Sequence, residues 1–93
     1  LMPSKRVYNY PNPNIGDITK IRYYLNEEAT VKIRIFDAAG TPVDDFEGPG
    51  VANTDNEVEW NVANVASGIY LCQVEAKGSG SSSSKIIKIM VVH

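Results

Sequence analysis

Residues that could carry chemistry are few in this chain of 93 residues. The single histidine, His93, is the last residue, where we expect no fixed partner to orient its ring for catalysis or metal binding. Serines crowd the run GSGSSSS at residues 78–84, with no histidine nearby to act as their base. Cys72 falls on the inward side of an apolar segment, where a thiol behaves as a small hydrophobic group with a raised pKa. The sequence therefore predicts no nucleophile.

The carboxylates form two groups in the sequence. Paired acids can hydrolyse glycosides when they flank a cleft, but here they alternate outward along predicted strands or lie in loops. The run NTDN at residues 53–56 offers oxygen ligands for calcium, yet it lacks the twelve-residue spacing of an EF-hand. Weak calcium binding near Asp55 stays open. We predict no catalytic residue, no metal site and no cofactor. The two groups are Asp44, Asp45 and Glu47, then Asp55, Glu57 and Glu59.

Composition restricts the partners of the chain. Nine Lys and Arg against eleven Asp and Glu give a net charge of −2, which offers no attraction to nucleic acid or to an anionic membrane. No apolar run approaches the roughly 18 residues of a transmembrane helix. One cysteine excludes an internal disulfide. Because Leu1 precedes Met2, we expect the chain to be a piece of a larger protein, folded as one domain over residues 1–93.

Hydrophobic residues recur with a period of two, which indicates strands with one buried face. About seven such segments alternate with turns rich in Gly, Pro, Asn and Asp, and no helical period is present. This spacing predicts an all-β, immunoglobulin- or fibronectin-III-like antiparallel sandwich. The run 78–84 is expected to be a flexible tip between the last two strands, with a glycosylated serine tract as the alternative. The side chains predicted to point inward are Ile21, Tyr23, Leu25, Val31, Ile33, Ile35, Val58, Trp60, Val62, Tyr70, Cys72, Val74, Ala76, Ile87, Ile89 and Val91.

Charge predicts how the second strand pairs. A hairpin of the second and third strands would place four cations on one exposed face, and like charges opposite each other destabilise a sheet. A crossover of the immunoglobulin type instead sets Lys20 and Arg22 beside Glu57 and Glu59 of the fifth strand.

The same alternation leaves apolar side chains facing outward. If the third, sixth and seventh strands are neighbours, these side chains form one patch, and contiguous apolar patches usually mark contact sites. We call this set the docking patch. The alternative is that Leu1 and Met2, or a neighbouring domain, cover it. The docking patch consists of Phe36, Ile69, Leu71, Ile86, Met90 and Val92.

Several short motifs occur in an order that resembles a known family. They are YPNP from Tyr10, TKIRYYL, VKIRIFDAAGTPV, EVEWN, SGIYLCQVEA and a terminal KIIKIMVV. The order is similar to that of the C-terminal sorting domain of type IX (Por) secretion substrates, and to the related immunoglobulin-like domain of flagellar hook-capping proteins. Trp60 leads almost directly to the Ser67-Gly68 turn, which favours the sorting type. The matching positions are Pro11, Asn12, Pro13, Gly40, Val43, Gly68, Tyr70, Lys85 and Lys88.

The resemblance implies a role without catalysis. Such a domain acts as an address on an exported bacterial protein, is recognised by the outer-membrane secretion machinery, and is typically removed on export. It implies passage through the periplasm to the cell surface or beyond. Two alternatives stay open: an accessory spacer or docking domain of a multidomain extracellular enzyme, and a carbohydrate-binding module, for which only Tyr24 and Phe36 offer aromatic surface.

Overall fold

The computed structural model describes residue 2 and residues 7–10 and 16–93, and within these ranges every regular element is a β-strand. Strand β1 ends just before Pro11 in the sequence, and β2 begins at Ile18. The proposed motif positions Pro11, Asn12 and Pro13 lie outside the described residues. The strands are β1 Val7–Tyr10, β2 Ile18–Leu25, β3 Thr30–Asp37, β4 Pro42–Gly48, β5 Thr54–Asn61, β6 Gly68–Lys77 and β7 Ser82–Val91.

The strands form two antiparallel sheets that pack as a sandwich, which confirms the predicted fold class. The three-stranded sheet has the order β1-β2-β5, and the four-stranded sheet has the order β4-β3-β6-β7. Strands β2 and β3 therefore lie in different sheets, and Lys20 and Arg22 pair in register with Glu59 and Glu57. The charge argument predicted this crossover correctly.

Alternating side chains from both sheets fill the core. Strands β2, β3 and β6 bury every second residue, in agreement with the predicted period of two. Val58 and Ile87, both predicted to be inward, are only half-buried and pack against the core from its margin. Met2, which sequence reasoning left as a possible cover for the docking patch, belongs instead to the buried core cluster. Its backbone N–H donates to Ser83 Oγ of β7 at 3.4 Å.

The turn between β3 and β4 follows the sequence closely. Asp37 accepts hydrogen bonds through Oδ1 from the backbone N–H groups of Ala39 and Thr41, at 3.0 and 2.9 Å. Gly40 has a φ of 87°, a left-handed conformation that glycine adopts without steric cost. The side chain of Asp37 and the freedom of Gly40 together stabilise this turn.

The serine run differs from the expectation of a flexible tip. Only residues 78–81 separate β6 from β7, because Ser82 to Ser84 already pair with Lys77 to Glu75 of β6. Pairing with an established strand supplies hydrogen bonds that override the low strand propensity of serine.

Candidate docking surface

The two potentially reactive side chains that stand alone in the sequence, His93 and Cys72, both take part in the packing or hydrogen bonding of the fold. His93 is exposed, but its backbone N–H donates to Ser67 Oγ at 2.9 Å and its ring Nε2 lies 2.6 Å from the Val65 carbonyl oxygen. The expectation that this ring would lack a partner is therefore wrong. Cys72 is fully buried, and burial raises the pKa of its thiol to about 12. Neither residue combines with a second group into a nucleophile–base pair among the described residues.

The run NTDN at residues 53–56, which offers oxygen ligands for calcium, forms a compact turn. The buried Asn56 side chain accepts a hydrogen bond from the Val51 N–H at 2.9 Å and donates to the Val51 and Thr54 carbonyl oxygens. Asn53 has a φ of 59°, and its N–H donates to the Leu25 carbonyl oxygen at 2.7 Å. The Asn56 amide is thus committed to holding the turn. Within the described ranges, no group of three or more His, Cys, Asp or Glu side chains is placed to hold a metal ion.

The two groups of carboxylates lie on different sheets. Asp44 of β4 accepts a hydrogen bond from the Trp60 indole N–H at 3.2 Å, a contact that the sequence did not reveal. Glu57 of β5 lies on the outer face of the three-stranded sheet, where Arg22 donates to it at 2.9 Å and the Tyr10 hydroxyl donates to the same oxygen. The hydrogen bonds from Tyr10 and Arg22 lower the pKa of Glu57. These acids therefore connect strands.

Tyrosines add aromatic surface to this outer face beyond Tyr24. Tyr8 is 42% exposed, and its ring centroid lies 6.0 Å from that of Tyr10, with the two planes tilted by 36°. The Arg22 guanidinium lies 5.0 Å from the Tyr10 ring centroid. A tilted pair with a cation over one ring is a strand-to-strand contact rather than a flat stacking platform.

The outer face of the four-stranded sheet carries the residues of the docking patch. Strands β3, β6 and β7 are neighbours, and the register sets Phe36 opposite Leu71, and Ile69 opposite Met90. Phe36 and Leu71 are half-buried. The four other members protrude further, with exposed fractions of 64% for Ile86, 45% for Ile69, 43% for Met90 and 41% for Val92. The contact role of this surface stays a prediction.

Two motif positions lie on the same outer face. Val43 is 40% exposed and belongs to a register shift between β3 and β4, where it lines a recess of about 420 Å³ together with Phe36 and Pro42. Lys88 is exposed and pairs in register with Leu71. Strand alternation in the sequence predicts that Lys88 lies on the outer face of β7. The bulge that brings Val43 and Phe36 to the same recess could not be predicted from alternation.

The other described motif positions are structural or lie elsewhere. Tyr70 is buried, donates through its hydroxyl to the Ala66 carbonyl oxygen at 2.5 Å, and packs edge-on against Trp60 at 5.7 Å between ring centroids. Gly40 forms the β3–β4 turn, and Gly68 begins β6. Lys85 is half-buried and pairs with the buried Val74, so it lies on the opposite face of β7 from Lys88.

The two sheets define a small β-sandwich module with an exposed apolar surface on one outer face. A family model described as secretion system C-terminal sorting domain matches residues 8–89. The chain therefore belongs to this family, which is the sorting domain of type IX secretion. Domains of this family are in general non-catalytic and mark proteins that are exported through the periplasm to the cell surface or the extracellular space.

Solved structures agree with this assignment. PorZ, a surface component of the type IX secretion system of Porphyromonas gingivalis, is 30% identical over 94% of this chain, with a TM-score of 0.63. Dimeric latent PorU from the same organism is 19% identical over 94% of the chain with a TM-score of 0.77, which shows the shared fold. The chain covers only 11% of PorZ and 9% of PorU.

A third structure shares the fold alone. CopC from Methylosinus trichosporium OB3b is 18% identical over 91% of this chain and 92% of its own length, with a TM-score of 0.58. A search of curated proteins gave no significant match. In the described part of the chain, no helix has the length and apolar character to span a membrane.

Proposed function

We propose that the chain is a non-catalytic address that the outer-membrane secretion machinery recognises through the outer face of its four-stranded sheet. The observation that carries this proposal is convergence on one face. The docking patch follows from strand parity, whereas Val43 and Lys88 follow from motif resemblance, and both sets lie on the same side of the sheet.

The physical character of this face supports contact with a protein. Residues such as Ile86 and Met90 expose apolar surface that water solvates poorly, and contiguous patches of this kind usually mark interaction sites. The outer face of the three-stranded sheet differs, because Tyr10, Arg22 and Glu57 satisfy one another there. The docking patch leaves apolar side chains exposed, whereas the polar groups at the centre of the other face already bond to one another.

Export of a fused reporter tests the address. A periplasmically targeted reporter carrying residues 1–93 at its C-terminus is expressed in a host with a type IX system, beside the reporter alone. We expect the fusion on the cell surface or in the medium and the reporter alone in the periplasm. If the two proteins show the same distribution, the domain is not a sorting signal, and the accessory role of a spacer or docking domain is favoured.

A pair of substitutions tests which face is recognised. Ile69→Lys with Met90→Lys places two charges at neighbouring positions of the docking patch, and we expect export to fall about tenfold or more because these cations would need to be desolvated on contact. Ile18→Lys with Val51→Lys is the matched control, since Ile18 and Val51 are similarly exposed but lie away from the patch. Equal export of the two double variants would contradict the assigned face.

A further inference from the structure

Lys88 is an isolated cation within an apolar surface. Along β7 it lies between Ile86 and Met90 on the same face, and across the sheet it pairs with Leu71. Among the described residues, no ion pair or hydrogen bond of the Lys88 side chain is present.

Several other cations of the two sheets lie beside acids. Arg34 contacts Glu75 at 3.4 Å, and Arg22 contacts Glu57 at 2.9 Å. Lys32 is flanked in register by Glu47 and Glu75 on its two neighbouring strands. Lys88 differs from all of these because its cross-strand neighbour is a leucine. Lys85 also pairs with an apolar residue, Val74, but it is half-buried and lies on the opposite face of β7.

We infer that the partner covering the docking patch is a protein surface that presents a carboxylate, surrounded by apolar side chains, to Lys88. This inference rests on the proposed contact role of that face. Covering Ile86 and Met90 removes water from Lys88 as well, and a desolvated ammonium group without an anion costs several kcal/mol. A carboxylate of the partner offsets this cost and fixes the register of the contact.

A second copy of this chain is a poor occupant of the same face. Two copies related by a two-fold axis through the docking patch would bring their Lys88 ammonium groups together, because such an interface uses the same surface twice. Like charges that face each other in an interface cost several kcal/mol. Lys88 thus disfavours self-association while it admits an acidic partner.

The recess beside the patch adds a second feature of the partner. Phe36, Pro42 and Val43 line an open recess of about 420 Å³ at the β3–β4 bulge, together with the charged residues Arg34, Asp44 and Asp45. Buried contacts of proteins usually centre on a large side chain that fills such a recess. The partner is therefore expected to combine one apolar side chain for the recess with one carboxylate for Lys88.

Charge substitutions in the reporter fusion test the inference. We expect Lys88→Glu to lower export about tenfold or more, because two carboxylates would then face each other, and Lys88→Arg to retain export. Lys77→Glu, at the exposed end of β6, is the matched control for the change in net charge. Export that is equal for wild type and Lys88→Glu overturns the inference. Thermal unfolding of each purified chain separates lost recognition from lost folding.

A second measurement tests the preference of the docking patch for a carboxylate, even if the domain is not a sorting signal. The Lys88→Glu chain serves as the probe, since it presents the same apolar face with a carboxylate at its centre. We expect an equimolar mixture of wild-type and Lys88→Glu chains to form a heterodimer in sedimentation velocity, while each chain alone remains monomeric. A mixture that sediments as monomers contradicts the inference. Failure of wild-type export with heterodimer formation would reject only the secretion role.

Discussion

The large aromatic side chains of the core reach hydrogen-bond partners at its margins. The hydroxyl of Tyr23 donates to the Pro49 carbonyl oxygen at 2.6 Å, that of Tyr70 to Ala66, and the indole of Trp60 to Asp44. Each ring thus buries apolar surface without leaving its polar atom unsatisfied. Cys72 has no such arrangement, and its thiol is held neutral by its apolar surroundings.

The buried thiol predicts a loss of stability at alkaline pH. Burial raises the pKa of Cys72 from 9.0 to about 12, so the unfolded state releases the proton first. Stability from this group is complete below pH 9 and falls as the pH rises toward 12, by on the order of 4 kcal/mol in total. Urea unfolding from pH 8 to 11 measures the effect, and Cys72→Ala should flatten the curve. Some pH dependence of stability will remain in that variant, because burial also raises the pKa of Tyr23.

Thiol labelling gives an independent check on the same residue. At pH 8 the folded protein should react with a disulfide reagent only through transient opening, because the thiolate is rare and the side chain is inaccessible. Labelling should accelerate in step with unfolding when urea is added. Rapid labelling of the folded chain would show that Cys72 does not lie in a packed core.

At the scale of the elements, two loops approach each other closely where β2 turns into β3 and β4 leads to β5. Ala29 donates its N–H to the Gly50 carbonyl oxygen at 3.2 Å, and a Cβ atom at Gly50 would overlap the Ala29 carbonyl oxygen. This contact joins the connections of the two sheets at one end of the sandwich. Only a residue without a side chain fits there.

Substitution of Gly50 tests the importance of this approach. We expect Gly50→Ala to lower the free energy of unfolding by about 2–4 kcal/mol, because the backbone of one loop must move away. Gly80→Ala is the matched control, since a Cβ atom there meets no neighbour within 4 Å, and it should be neutral or slightly stabilising. Chemical denaturation of both variants measures the difference. Similar stabilities would mean that the loops adjust without cost.

The sequence predicted the elements and faces that depend on local alternation. The buried series of β2, β3 and β6 and the β2–β5 pairing follow from neighbouring residues and charge. The burial of Met2, the strand at Ser82 and the partner of His93 depend on residues distant in sequence. The bulge at Val43 depends on a single register shift. Long-range contacts of this kind leave no periodic signal.

At the scale of the whole molecule, the two outer faces of the sandwich have different consequences for association. The face with Tyr10, Arg22 and Glu57 is held together by its own hydrogen bonds. The face with the docking patch is apolar at one end, and at its other end Arg34 pairs with Glu75. Lys88 is the one charge at the apolar end for which the described residues supply no counter-ion. The tendency of the domain to self-associate through this face should therefore depend strongly on this single ammonium group.

Removal of that charge should turn the docking patch into a self-association surface. In Lys88→Leu the apolar side chains of β6 and β7 become continuous, and the repulsion between two copies disappears. We expect the dimer affinity of Lys88→Leu to exceed that of wild type by about tenfold or more, and Lys77→Leu, away from the patch, to behave as wild type. Sedimentation equilibrium over a range of concentrations measures both. If Lys88→Leu is as monomeric as wild type, the apolar side chains around position 88 do not form a surface that a partner can cover.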